Sequence, residues 1–190
     1  KEIALKNISN VIDSGFFNEG VQVQEFSKSL SRKLGIKNIV LTNSCTSALT
    51  MALKLSGVGP GDEVISTSMT CLATNTPILN LGGKIVWADI NYNTGNICPQ
   101  DVLNKITKKT KAVMCVNWAG LPCDLKALME ICDRKGIKLI QDAAHSFGSK
   151  YMDQDVSSHA HFTCYSFQAI KHITCGDGGA LVCLDNRDLE

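Results

Sequence analysis

The chain has 190 residues, 44% of them hydrophobic and 19% charged, and its 19 basic and 18 acidic side chains leave a net charge of +1. This is the make-up of a soluble globular protein with one sizeable core. The charges are mixed, with no basic run longer than Lys108-Lys109, which argues against nucleic-acid or anionic-membrane partners. The most apolar stretches, such as Ala112 to Val116, fall far short of the roughly 20 residues that span a bilayer.

Short β-rich runs alternate with segments of helical period, the pattern of an α/β layer protein. Val23, Phe26, Leu30 and Leu34 recur at helical steps and Gly35 follows as a stop, so an amphipathic helix is expected there. Asn38 to Thr42 is a buried strand, Thr46 to Leu55 a helix, Glu63 to Thr67 a strand, Thr70 to Leu81 a helix and Lys84 to Asp89 a strand. Pro99 opens a helix to Ile106, since proline suits the first helical turn. Lys111 to Asn117 is a strand, and Asp124 to Lys135 a helix closed by Gly136. Lys138 to Asp142 is a strand with a polar end; a looser stretch rich in Ser, Asp and His leads to strands at Phe162 to Phe167 and Ala180 to Leu184. The chain starts at Lys1 without methionine and ends at Asn186-Arg187-Asp188-Leu189-Glu190, where a helix is expected to begin, so a fragment of a longer protein is expected.

Nine cysteines in odd number, without CxxC spacing or a signal peptide, point to a reducing cytoplasm rather than a secreted disulfide scaffold. Cys115, Cys132, Cys164 and Cys183 lie in apolar runs as small hydrophobes. The four histidines do not pair with cysteines in a zinc-like pattern, and His159 and His161 are expected to be solvated loop residues.

Four polar clusters fall at strand ends, where ligands sit in α/β folds. Thr42-Asn43-Ser44-Cys45-Thr46-Ser47-Ala48-Leu49 opens a helix whose free N–H groups suit an anion, with hydroxyls at Ser44, Thr46 and Ser47 as further donors; an ordinary N-cap is the plainer reading. Asp142 is either a loop-entry carboxylate or the partner of a protonated ring nitrogen, with His145 three residues on. Lys171 is either solvated or, behind a buried strand and before a glycine-rich turn, an amine nucleophile able to form a Schiff base; Ser166 could add a phosphate hydroxyl. Gly176-Asp177-Gly178-Gly179 is a turn requiring positive φ, or a close backbone approach beside the lysine.

In order and spacing these clusters resemble the DegT-type sugar aminotransferases, pyridoxal-phosphate (PLP) enzymes of the aspartate-aminotransferase-like fold. The resemblance covers nearly the whole chain. It rests on Asn43-Ser44-Cys45-Thr46-Ser47-Ala48-Leu49, Gln141-Asp142-Ala143-Ala144-His145-Ser146-Phe147-Gly148, and Ser166-Phe167-Gln168-Ala169-Ile170-Lys171 with Gly176-Asp177-Gly178-Gly179 behind. It implies a three-layer α/β/α large domain over residues 1–190, built on a mainly parallel mixed sheet, with the smaller C-terminal domain absent. It also implies that Lys171 binds PLP covalently and shuttles protons, that Asp142 holds the pyridine nitrogen protonated, and that His145 lies near the ring hydroxyl. Ser166 and the Cys45-Thr46 backbone would hold the phosphate.

The implied reaction is transfer of an amino group from an amino acid, commonly glutamate, through pyridoxamine phosphate to a nucleotide-linked keto sugar, in a cytoplasmic homodimer whose partner completes the site. Cys71 stands where the family often stacks an aromatic residue on the cofactor ring, Asp177 replaces the usual glutamate, and Cys45 the usual glycine. A sugar dehydratase of the same family typically has histidine at the position of Lys171. A catalytically silent cofactor-binding protein is the alternative from another class. A nicotinamide-binding fold lacks its GxGxxG here.

Overall fold

A computed structural model describes residues 2–185. The chain divides into two compact units, one up to Lys37 and one from Asn38 on. The first holds α1 (Glu2–Ser14) and α2 (Val21–Leu34). The expected end of α2 is where the sequence put it: Gly35 takes φ 70° and donates its N–H to the Ser31 carbonyl, a left-handed C-cap. Helix α1 was not anticipated, and none of its residues is buried. The helix expected from Asn186 lies outside the described residues.

The second unit carries β1 (Ile39–Thr42), α3 (Cys45–Leu55), β2 (Glu63–Ser66), α4 (Leu72–Asn80), β3 (Lys84–Trp87), α5 (Pro99–Lys105), β4 (Thr110–Val116), α6 (Leu125–Lys135), β5 (Lys138–Asp142), β6 (Lys150–Tyr151), β7 (Gln154–Asp155), β8 (Phe162–Ser166) and β9 (Gly179–Cys183). Seven strands form one sheet in the order β1-β9-β8-β5-β4-β2-β3. Strands β3, β2, β4, β5 and β8 pair in parallel, and β9 runs antiparallel to both β8 and β1. The sheet is thus mixed but mainly parallel, as expected. Helix α4 starts later than the Thr70 expected, because Cys71 is an extended N-cap with ψ 146°.

Side chains alternate across a strand, so one parity faces each layer. Ala112 and Met114 of β4, Ile140 of β5, Phe162 and Cys164 of β8, and Leu181 and Cys183 of β9 share one core with Ala48, Leu49, Ala52 and Leu53 of α3 and Ile78 of α4. The opposite face lies under α5 and α6: α6 packs on β5, buries Leu125, Leu128, Ile131 and Cys132, and brings Cys132 near Cys115 of β4. Two helical layers therefore sandwich the sheet.

The same parity carries each strand's last residue onto the α3/α4 side. Val116, Asp142 and Ser166 follow Met114, Ile140 and Cys164 by two positions, and all three line one cavity at the carboxyl ends of β4, β5 and β8.

Two parts of the stretch between β5 and β8 correct the sequence reading. Met152 and Asp153 both have positive φ, 50° and 64°, and turn the β6–β7 hairpin; this is the two-residue geometry usually given to Asn-Gly, so the pair carried no turn signal. His159 and His161 are half-buried and packed rather than solvated. The His161 ring accepts the Leu139 N–H at 3.0 Å and faces Asp133 at 3.3 Å, while His159 packs edge-on against Tyr151 with ring centroids 5.1 Å apart. Sheet pairing brought them in, which a local count of polar neighbours does not register. Among the described residues no helix is long and apolar enough to cross a membrane.

Candidate active site

A cavity of about 220 Å³ opens at the strand ends and gathers Cys45, Thr46, Cys71, Asp142, His145, Ser166 and Lys171, the positions that the family resemblance assigns to the cofactor. They come from five separate places in the chain.

The loop from β1 to α3 forms one wall. Ser44 is the N-cap of α3: its Oγ accepts the Ser47 N–H at 3.2 Å and pairs with the Ser47 hydroxyl, which donates onward to Asn43 Oδ1 at 2.6 Å. The Ser44 and Ser47 hydroxyls therefore serve the cap, the plainer of the two readings open in the sequence. Cys45 and Thr46, whose first-turn amides have no partner within the helix, line the cavity at the positive end of the helix dipole. Burial pushes the Cys45 thiol well above its usual range; the Asp142 charge adds to this and Lys171 opposes it, so this sulfur stays a neutral thiol.

Gly179 holds this wall against the sheet. It pairs with Thr42 of β1 on one side and Ser166 of β8 on the other, and a Cβ there would lie 2.4 Å from the Ser44 carbonyl carbon and 2.5 Å from the Cys45 nitrogen. Its need for glycine is a close backbone approach, one of the two readings open in the sequence. Within Gly176-Asp177-Gly178-Gly179, only Gly176 has a positive φ, at 93°.

Lys171 sits in the segment between β8 and β9. Both ends of that segment are pinned at Phe167, whose N–H donates to the Gly178 carbonyl at 2.8 Å and whose carbonyl accepts the Cys175 N–H at 3.1 Å. Phe167 is buried and stacks edge-on with Phe147. The half-buried Lys171 donates its own N–H to the Gln168 carbonyl, in a turn, and has no carboxylate within salt-bridge distance among the described residues.

Asp142 closes the floor at 5% exposure. Its Oδ1 accepts the Ala144 N–H at 3.0 Å and its Oδ2 the Thr74 hydroxyl at 2.7 Å. The next residue back, Gln141, points to the other face, where Asn117 donates to its Oε1 at 2.6 Å and its amide donates to the Thr163 hydroxyl and the Val156 carbonyl. Beside them the His145 imidazole has its pKa lowered from the ordinary 6.5, first by burial and then by the Lys171 charge, with Asp142 opposing. Its ring meets the edge of Trp118 at 5.9 Å.

Thr70 and Thr74 line the cavity, and the sequence reading did not single them out. Their four-residue step across the start of α4 was visible, but nothing local tied it to Asp142.

The arrangement fits pyridoxal phosphate. A buried carboxylate, an amine, a helix N-terminus and the hydroxyl-bearing residues Thr46 and Ser166 surround one small cavity. The sequence profile of the DegT/DnrJ/EryC1/StrS aminotransferase family matches residues 1–190. The chain belongs to that family. It is 37% identical over 177 residues to the spore coat polysaccharide biosynthesis protein SpsC of Bacillus subtilis, covering 93% of this chain and 46% of SpsC. An aminotransferase from Psychrobacter cryohalolentis superposes with a TM-score of 0.94 at 31% identity, over 99% of this chain and 48% of that one. Spr1654 of Streptococcus pneumoniae, solved in PLP and PMP forms, superposes in its PLP form with a TM-score of 0.93 at 31% identity, over 99% of this chain and 52% of that one. The chain thus spans about half the length of the relatives it matches.

Proposed function

We propose that residues 1–190 are the cofactor-binding large domain of a PLP-dependent aminotransferase that moves an amino group from an amino acid, glutamate first among candidates, to a nucleotide-linked keto sugar. The observation that carries the reading is the convergence of Lys171, Asp142 and the start of α3 on one cavity.

Lys171 is the amine that holds the cofactor and, once released, carries a proton to and from the reacting carbon. Asp142 holds a proton on the pyridine nitrogen. The Cys45 and Thr46 amides, the Thr46 hydroxyl and Ser166 bind the phosphate, as helix N-termini bind anions. His145, kept neutral by burial, lies at the ring hydroxyl, and Cys71 covers part of the ring face. Bound in this way, PLP supplies the electron sink for carbanion chemistry, while the protein supplies orientation and charge. Lysine at position 171 favours amino transfer over the dehydratase variant. Nine free cysteines support a reducing cytoplasm, and we read the working protein as a homodimer whose partner completes the site.

The test is spectroscopic. Purified full-length protein mixed with PLP should develop the visible absorbance of covalently held cofactor, Lys171→Ala should abolish it, and glutamate should convert it to the pyridoxamine form. Covalent binding that no amino donor changes would refute amino transfer and leave a silent cofactor-binding protein.

A further inference from the structure

The two protein donors to Asp142 differ in origin. Ala144 lies two residues on, so its N–H bond forms with the turn itself. Thr74 comes from α4, a separate element 68 residues away in sequence, and is 1% exposed, so water does not replace it. A hydroxyl has one proton to give, and a carboxylate oxygen only accepts. The Thr74 proton is therefore spent on Asp142. In the 2.7 Å contact between the Thr70 and Thr74 hydroxyls the donor must then be Thr70. The order Thr70 to Thr74 to Asp142 follows, and both threonines reach the cavity wall.

We propose that Thr74 is a positioning residue for Asp142, and that Thr70 orients Thr74, so that the remaining lone pairs of the carboxylate point at the place where the cofactor's ring nitrogen is held. The inference rests on the PLP reading above. A carboxylate turns easily about its last torsion, which is broad and roughly two-fold. The Ala144 amide restrains one oxygen only. The hydroxyl on Oδ2 sets the plane.

The experiment measures the dissociation constant of PLP by equilibrium titration in the full-length protein, with denaturant midpoints as a folding control. Thr74→Val should weaken binding about tenfold, the worth of a hydrogen bond to a charged group, and Thr70→Val about threefold. Thr74→Ser keeps the donor and should stay within about twofold of wild type. In an Asp142→Asn background Thr74→Val should add less than about twofold, because coupled residues are not additive. An equal loss in both backgrounds would mean that Thr74 merely packs, and would overturn the proposal. So would wild-type affinity in Thr74→Val beside a weakened Asp142→Asn, which leaves the PLP reading standing. Absence of PLP binding by the wild type would remove both.

Discussion

A Cβ on Gly179 would stand 2.4 Å from the carbonyl carbon of Ser44, closer than any side chain can come to backbone. The start of β9 and the start of α3 are in direct contact there, and the anion wall of the cavity depends on it. Gly179→Ala should cost about 3 kcal/mol, at the upper end of overpacking penalties, since two backbones must part. Gly178→Ala is crowded by the Cys175 sulfur, at 2.8 Å, a side-chain end that can swing away, and meets Phe167 at ordinary contact distance, so it should cost about 1 kcal/mol or less. Urea denaturation of both variants checks the order; equal losses would contradict it.

Gln141 and Asn117 form a buried polar pair behind the site, both at 0% exposure. The Asn117 amide also donates to Ser146 at 2.9 Å, and its carbonyl accepts the Cys123 N–H at 3.0 Å. Gln141→Leu leaves the Val156 carbonyl without this donor and takes the acceptor from an Asn117 N–H, and should destabilise by about 3 kcal/mol. Because Gln141 faces away from the cavity, PLP affinity should change less than in Asp142→Asn. Thermal or urea unfolding and a cofactor titration measure the two effects separately.

Thiol labelling should separate the nine cysteines by burial. Cys71 and Cys175 are exposed, whereas Cys115, Cys123, Cys132, Cys164 and Cys183 are buried. Burial raises the Cys132 thiol to about 12 and lifts Cys164 well above its usual range, so neither offers thiolate near pH 8. Brief alkylation of the native protein followed by peptide mass mapping should find label on Cys71 and Cys175. Saturating PLP should protect Cys71, which lines the cavity, and leave Cys175 reactive. Label on Cys71 undiminished by cofactor would put the ring elsewhere.

The depressed pKa of His145 makes stability depend on pH. Its folded value lies below the ordinary 6.5, so between the two the unfolded chain binds more protons and stability rises with pH. The contribution is complete above pH 6.5 and is lost as pH falls through that window to the folded value. Denaturant midpoints taken from pH 7.5 to 5.5 should fall less steeply in His145→Gln than in wild type. Parallel curves would show that His145 does not sense its burial.

The polar clusters of the candidate site were legible because their signals are local, but each alone had a plainer reading, and only their order and spacing, through the family resemblance, joined them into one site. Asp142 and Ser166 end apolar strands, Cys45 and Thr46 open a helix behind a capping serine, and Lys171 precedes a glycine-rich turn; each is a statement about a few consecutive residues. Strand and helix periods likewise placed the strands of the seven-stranded sheet and helices α3 to α6 within a few residues of their ends, but not the β6–β7 hairpin. Other features were not written locally. The antiparallel insertion of β9 between β1 and β8, the bond from Thr74 to Asp142, the steric demand at Gly179 and the burial of His161 join residues far apart in sequence. Sequence order by itself determined which residues stand at strand ends and which open helices, because backbone geometry sets those periods over a few residues. Only the tertiary structure decided which ends meet, because sheet register and helix packing satisfy buried polar groups and fill space between segments that no local pattern connects.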